Sequence, residues 1–213
     1  MCKLSMPSHG TPGLLVTFCG LDGCGKTSMI QYLNQEFAEY APFLTKQPTS
    51  FVRTSEIFRT YMDTPDHDAF DYRSLSLLAA SDRVQHSNRV ILPRLQNGKI
   101  VFSDRYFYSC LANLRARGYT GDGWIYEIAR SIPRPDVAFF FDLPVEVAVS
   151  RVRSRPEEKD RYIDVELQHR LRREYRDICR KNGGILISTT EPIEDCYKKV
   201  KDAVLTALQT KGG

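Results

Sequence analysis

The chain has 213 residues, 42% of them hydrophobic and 26% charged, with a formal net charge of +4. That length reads as one domain with a sizeable core, and the composition excludes a fibrous or disordered chain. The small basic excess suits anionic small molecules and is too weak to argue for polymeric nucleic acid, and no apolar run approaches membrane-spanning length, Val137 to Phe141 being among the longest. No secretion signal is expected, because the first dozen residues carry one lysine and no apolar stretch. With Pro7, His9, Gly10, Pro12 and Gly13, residues 1–13 read as a flexible tail ahead of a single domain over 14–213. The cysteines are Cys2, Cys19, Cys24, Cys110, Cys179 and Cys196. None forms a C-x-x-C pair or has zinc spacing, so reduced thiols in a cytoplasmic protein are expected.

In chain order, Leu14–Cys19 reads as a buried strand, followed by Gly20-Leu21-Asp22-Gly23-Cys24-Gly25-Lys26-Thr27 and a helical pattern from Ser28 to Tyr40. Phe43–Lys46 reads as a second strand ending near Pro48. Leu77, Val84, Ile91 and Leu95 make an apolar stripe at helical spacing, expected as core, and Asn97-Gly98 closes that helix. Ile100–Ser103 is the third expected strand, Val137–Phe141 the fourth and Ile185–Ser188 the fifth. Several of these strands are dense in Val, Ile, Leu and Phe without polar alternation, as in a parallel sheet covered on both faces. Alternating β and α segments predict a doubly wound α/β fold. Ligands of such folds sit beyond the C-terminal strand ends, so Gly20, Pro48, Asp104 and Asp142 should border one crevice.

The glycine-rich segment fits G-x-x-x-x-G-K-[ST] between a strand and a helix, the setting of a phosphate-binding loop. Its backbone N–H groups and the helix N-terminus point at an anion. Lys26 can reach the outer phosphates and the Thr27 hydroxyl can sit on Mg²⁺. Asp104, at the end of the third strand, is the expected second contact to Mg²⁺, and Arg105 beside it suits a second phosphate. Arg151, Arg153 and Arg155 lie at the end of a helix starting near Val145 and run into the charged segment Pro156 to Arg161. Residues 151–161 are therefore candidates for a lid that closes arginines over a transferring phosphoryl group.

Taken in order, the chain resembles the thymidylate kinase family of P-loop nucleoside monophosphate kinases. The resemblance rests on Phe18 to Thr27; Thr45-Lys46-Gln47-Pro48; Leu77 to Gln85 with Asp82-Arg83; Asp104-Arg105-Tyr106; Arg134-Pro135-Asp136; Asp142-Leu143-Pro144; Arg151 to Arg161; and Thr189 to Ile193. It covers about residues 14–210. It implies a three-layer P-loop kinase fold, with a five-stranded parallel sheet, helices on both faces and an arginine-rich lid. It also implies transfer of the γ-phosphoryl group of ATP·Mg²⁺ to a nucleoside monophosphate, with dTMP the leading acceptor, and a homodimer to which the Leu77–Leu95 helix is a candidate contributor. The resemblance assigns Gly20, Gly23, Cys24, Gly25, Lys26, Thr27, Ser28 and Arg151 to ATP, and Thr27 and Asp104 to the metal. It assigns Asp22 to the acceptor's 3′-hydroxyl, and Arg83 and Arg105 to its phosphate. Pro48, Phe51, Ala79, Cys110 and Asn113 complete the acceptor site. The catalytic set is Lys26, Arg105, Arg153 and Arg155. Many members carry a basic residue inside the phosphate loop. Here those positions are Gly23 and Cys24, so the lid must supply the catalytic arginine.

Three departures fall on the base and sugar. Ala79 stands where an aromatic ring stacks on thymine, a loss on the order of 1 kcal/mol. Cys110 replaces a polar residue, and Asn113 replaces an aromatic on the sugar's 2′ side. Lys46-Gln47-Pro48 stands for an Arg-Glu-Pro motif, and Thr49-Ser50-Phe51 for a glycine-rich segment. A specialised relative acting on another or modified nucleotide is therefore the alternative; Phe51, Phe70 or Tyr72 refilling the pocket would preserve thymidylate. A deoxynucleoside kinase would need a base beside a 5′-hydroxyl rather than two arginines for a phosphate. A GTPase would need an Asn-Lys-x-Asp motif, which is not present. In a motor, Asp104 would be followed by Glu rather than Arg. A non-catalytic nucleotide-binding module would bind ATP without turnover.

Overall fold

The computed structural model describes residues 3–65 and 69–212. Five parallel strands form one sheet in the order β2-β3-β1-β4-β5. They are β1 (Leu14–Gly20), β2 (Phe43–Lys46), β3 (Ile100–Asp104), β4 (Val137–Asp142) and β5 (Ile185–Ser188). Each lies within one residue of its expected span. Every residue of β1 is buried, as the unbroken apolar run requires of a central strand covered on both faces. The edge strands β2 and β5 leave Leu44, Ile185 and Leu186 exposed.

The helices that cover the sheet and frame its C-terminal edge are α1 (Lys26–Glu36), α2 (Ser50–Arg53), α3 (Glu56–Asp63), α4 (Tyr72–His86), α5 (Leu92–Gln96), α6 (Phe107–Ala116), α7 (Trp124–Ala129), α8 (Val145–Arg153), α9 (Val165–Lys181) and α10 (Ile193–Gly212). The first helix starts two residues before its expected Ser28 and gives way to a separate 3₁₀ turn, Ala38–Tyr40. No described helix is long and apolar enough to cross a membrane.

Two expectations are corrected. The stripe Leu77, Val84, Ile91, Leu95 is not uniformly core, since Ile91 and Leu95 are fully buried but Leu77 is 47% exposed. A π-turn over Ser87–Ile91 lies between them. Its wider turn holds an extra residue, so a stripe counted at constant spacing loses phase across it. The expected stop holds: Gly98 takes φ 71° and donates its N–H to the Leu95 carbonyl.

The N-terminal segment is not loose over its described part. Leu4 and Met6 are buried, the Leu4 N–H donates to Asn182 Oδ1 at 2.8 Å, and the Pro7 carbonyl accepts from the Arg134 N–H at 2.7 Å. Asp136 is paired to both His9 and Lys211 at 2.9 Å. Prolines favour extended chain as much as disorder, and Leu4 and Met6 at period two put their side chains on one face of it. Cys2 lies outside the described residues; the other five cysteines are free and buried.

Candidate active site

The C-terminal ends of β1 and β3 open into a cleft of about 750 Å³. The phosphate loop forms one wall, and glycine is required there for steric reasons. A Cβ on Gly20 would lie 2.6 Å from the Phe141 carbonyl oxygen, and one on Gly23 2.4 Å from that of Ala148. Gly23 and Gly25 also take φ of 81° and 93°. No side chain caps α1, so its first N–H groups are left to a ligand. Lys26 Nζ is buried and donates to the Leu21 carbonyl at 2.6 Å and the Gly20 carbonyl at 3.2 Å. Thr27 and Ser28 are exposed to the cleft. Gly20 and Cys24 do not line it. Cys24 is fully buried with Sγ 3.5 Å from Lys26 Nζ, so it can offer a ligand only its backbone.

A charged cluster centres on Asp22 of the same loop. Its Oδ1 accepts from Arg105 Nη2 at 2.6 Å and its Oδ2 from Arg161 Nη2 at 3.1 Å. Burial pushes the Asp22 carboxyl up, but Arg105, Lys26 and Arg161 outweigh it and hold the group well below the usual carboxylate range. Arg105 also donates to Tyr175 Oη at 2.9 Å and to the Gly20 carbonyl at 3.1 Å. Burial opposes its charge, but Tyr175, Asp22 and Asp104 reverse that and raise its pKa well above normal. The Arg105 backbone stands at φ 68°, a left-handed conformation unfavourable for a side chain of this size. Its N–H donates to the Phe18 carbonyl, and its carbonyl accepts from Ser103 Oγ. The β1–β3 junction thus fixes the strained residue.

Across the cleft, Arg83 on α4 is 3% exposed and donates to the Ala79 carbonyl at 2.9 Å, while its buried Nε has no partner. Asp104 has one oxygen 3.4 Å from Lys46 Nζ, and its other oxygen is buried and unpartnered. Both residues line the cleft, together with Pro48, Ala79, Cys110 and Asn113. Thr49, its N–H at 2.8 Å and its hydroxyl at 2.5 Å, binds Asp82 and ties the segment after Pro48 to α4.

Several expected site residues stand elsewhere. Phe51 is 70% exposed and does not line the cleft; α2 turns it outward while Val52 packs inward. The aromatic lining comes instead from Phe58, Tyr61, Tyr72, Tyr162 and Tyr175. Arg151 and Arg153 are exposed on α8 and do not line the cleft, because the buried Val152 between them takes the inward position there. Arg155 lines the cleft beside the turn Pro156–Glu158. Asp142 does not line it either: Arg172 on α9 holds its carboxylate through two hydrogen bonds of 2.7 and 2.9 Å. Residues not singled out beforehand are Arg161, Arg53, Arg117 and Tyr175. Only the position of Arg161 at the end of the expected lid pointed to it; the others sit on unremarkable helical stretches.

A family model described as thymidylate kinase matches residues 18–200. The chain is 37% identical to a probable thymidylate kinase of Pyrococcus abyssi over 202 residues, which cover 91% of this chain and 98% of that protein. It is 33% identical to a probable thymidylate kinase of Pyrococcus horikoshii, covering 88% of this chain and 94% of that one. It is 29% identical to the thymidylate kinase of Onion yellows phytoplasma, covering 92% and 99%. The phosphate loop, the strand-end Asp-Arg pair and this near end-to-end likeness agree: the chain is a phosphotransferase that belongs to the thymidylate kinase family.

Proposed function

We propose that the protein transfers the γ-phosphoryl group of ATP to dTMP, giving dTDP and ADP. The observation that carries this is the placement of Arg83 and Arg105 in one cleft with the phosphate loop, Arg83 having a buried Nε without a partner. A second anion beside the loop gives that atom an acceptor. Lys26 leaves the Gly20 and Leu21 carbonyls to meet the donor's outer phosphates, and the uncapped start of α1 meets the others. Arg83 and Arg105 hold the acceptor phosphate in line, and Asp22 accepts from the sugar hydroxyl. Nothing here requires a covalent intermediate; positioning and charge neutralisation carry the reaction.

Thr27 and Asp104 are the residues that would hold magnesium. The orphaned buried Asp104 oxygen fits a cation, and one carboxylate with one hydroxyl suits an ion that draws its other ligands from phosphates and water. When bound, the ion would neutralise charge on the transferring group. The free thiols support a reducing compartment, and we place the protein in the cytoplasm as a homodimer on its family relationship.

A specialised relative is the second reading, favoured by Ala79, Cys110 and Asn113, which line the cleft without a ring among them. The test is ADP release from ATP·Mg²⁺ with dTMP, dUMP, UMP, CMP, dCMP, GMP, AMP and thymidine. Turnover concentrated on dTMP supports the first reading. Turnover on another monophosphate alone replaces it with the second, and turnover on thymidine alone overturns both.

A further inference from the structure

The segment after Pro48 departs from a glycine-rich pattern, and it ends on a charged side chain that the proposed reaction leaves unused. Arg53, the last residue of α2, lines the cleft, and its Nε is buried without a hydrogen-bond partner. No carboxylate among the described residues pairs with its guanidinium. A buried donor of a charged group is normally met by an acceptor, so a ligand is the natural source of the missing one. The guanidinium has donors only and a permanent charge, which suits an anion.

The direction of Arg53 is set one turn earlier. Its N–H donates to the Thr49 carbonyl at 3.1 Å, closing the single turn of α2. Thr49 is the N-cap of that turn, where a threonine hydroxyl ordinarily accepts from the turn's own N–H groups. Here it makes no such bond. Its hydroxyl donates instead to Asp82 Oδ1 at 2.5 Å, and its N–H donates to Asp82 Oδ2 at 2.8 Å. Asp82 is 8% exposed, so water competes little for this two-point contact. A helix of four residues cannot hold its own phase. The contact with Asp82 and the buried Val52 hold it together, and Arg53 is left facing the cleft. A glycine at 49 would keep the N–H bond and lose the hydroxyl bond. Asp82 immediately precedes Arg83 on α4, so one joint places an arginine of each helix against the same cleft.

We infer that Arg53 binds the phosphate monoester of the acceptor and that Thr49, through Asp82, is the residue that positions it. This rests on the proposed monophosphate kinase reaction and adds two residues to it. α2 packs on α4, across the cleft from the phosphate loop, so the anion on its side is the acceptor's rather than the donor's. A phosphate oxygen supplies the acceptor that Arg53 Nε lacks, whereas a nucleoside without phosphate leaves that atom unmet.

The experiment compares wild type, Arg53→Ala, Thr49→Val, Thr49→Ser and the double variant of Thr49→Val with Arg53→Ala. Calorimetry gives Kd for dTMP and for thymidine, steady-state assays give KM for ATP, and thermal unfolding gives Tm. Arg53→Ala is expected to weaken dTMP about tenfold to a hundredfold, the range for a hydrogen bond to a charged group. Thymidine affinity and KM for ATP stay within about twofold. Thr49→Val keeps the shape without the hydroxyl and weakens dTMP about fivefold, while Thr49→Ser restores the wild-type value. The double variant matches Arg53→Ala, because both changes act through one side chain. Unchanged dTMP affinity in Arg53→Ala, equal losses for dTMP and thymidine, or a raised KM for ATP alone overturns the anion assignment. Equal losses in Thr49→Val and Thr49→Ser, or additive losses in the double variant, overturn the positioning role. A lower Tm in Thr49→Val with dTMP affinity unchanged assigns the contact to stability and overturns that role too. If wild type phosphorylates another monophosphate and not dTMP, the dTMP assignment fails. The same comparison made with that monophosphate and its nucleoside then judges Arg53 separately.

Discussion

Asp22 ties three elements together, because its two oxygens are shared between Arg105 at the end of β3 and Arg161 in the segment after α8. Replacement by Ala removes the acceptor of both guanidiniums and leaves them facing each other and Lys26. Its side chain is 41% exposed, so solvent screens much of that repulsion and the stability loss stays small. The functional loss is larger: KM for dTMP is expected to rise at least about tenfold, the scale of a charge-assisted hydrogen bond. Equal KM values in wild type and Asp22→Ala would remove Asp22 from the acceptor site.

The same close view explains Gly23. A basic side chain there would have to leave a backbone at φ 81° and pass within 2.4 Å of the Ala148 carbonyl. Even Gly23→Ala is expected to lower stability by about 2 kcal/mol or more, from the left-handed strain together with the clash against α8. Urea unfolding of the variant measures this, and an unchanged midpoint would show that α8 yields readily. The arginine that neutralises the transferring group must then come from elsewhere than the loop.

At the scale of elements, the segment after α8 is the source we propose. The structure turns Arg151 and Arg153 outward and brings Arg155 and Arg161 to the cleft. Glu158 accepts from Arg161 Nη1 at 2.6 Å and lies 3.8 Å from Arg155 Nη1, so the short turn presents both guanidiniums together. Arg161→Ala is expected to lower kcat by about 10²-fold, in the range set by loss of one charge-stabilising donor. Arg153→Ala should stay within about threefold, because an exposed side chain off the cleft makes no contact to lose. A reversed ranking in single-turnover assays would mean that the segment rearranges in the closed state so that Arg153 replaces Arg161.

Strands and the phosphate loop were legible in the sequence because each is encoded locally. An apolar run of five or six residues between turn signals is a strand whatever surrounds it, and the glycines of the loop answer to backbone geometry. Phe51, Arg151 and Arg153 stand off the cleft because their direction is settled by the phase of a short helix, which one residue either way reverses. The exposed Leu77 belongs to the same class, a phase changed by a π-turn that leaves no mark in composition. Arg53, Arg117 and Tyr175 gave no signal, since their roles arise only when α2, α6 and α9 meet at the cleft.

At the scale of the whole molecule, the charged network makes stability depend on pH in two separate windows. His86 is held behind Pro48, where the Gln47 amide donates to its Nδ1 at 3.1 Å; its Nε2 therefore carries the proton and meets Thr45 Oγ1 at 2.9 Å. Burial lowers its pKa, Asp82 opposes that, and Arg94 and Arg83 add to it. Protonation would also set a second N–H against the Gln47 amide. The unfolded chain thus binds this proton more readily than the folded one. The stability linked to neutral His86 is complete above about pH 6.5 and falls as the pH drops below that value. The second window belongs to carboxylates with depressed folded values. In Asp22 and Asp136 burial is outweighed, in Asp22 by Arg105, Lys26 and Arg161 and in Asp136 by hydrogen bonds from His9, the Leu15 N–H and Lys211. In Asp142 the bond from Arg172 dominates. Their contribution is complete above about pH 4 and is lost below it. Denaturant midpoints followed from pH 8 to 3 should therefore hold level, decline gently below about 6.5, and drop steeply below about 4. His86→Gln retains a donor and an acceptor and should abolish the gentle decline while leaving the steep one. If the variant keeps both slopes, another group titrates in the upper window and the Gln47–His86 contact has no part in it.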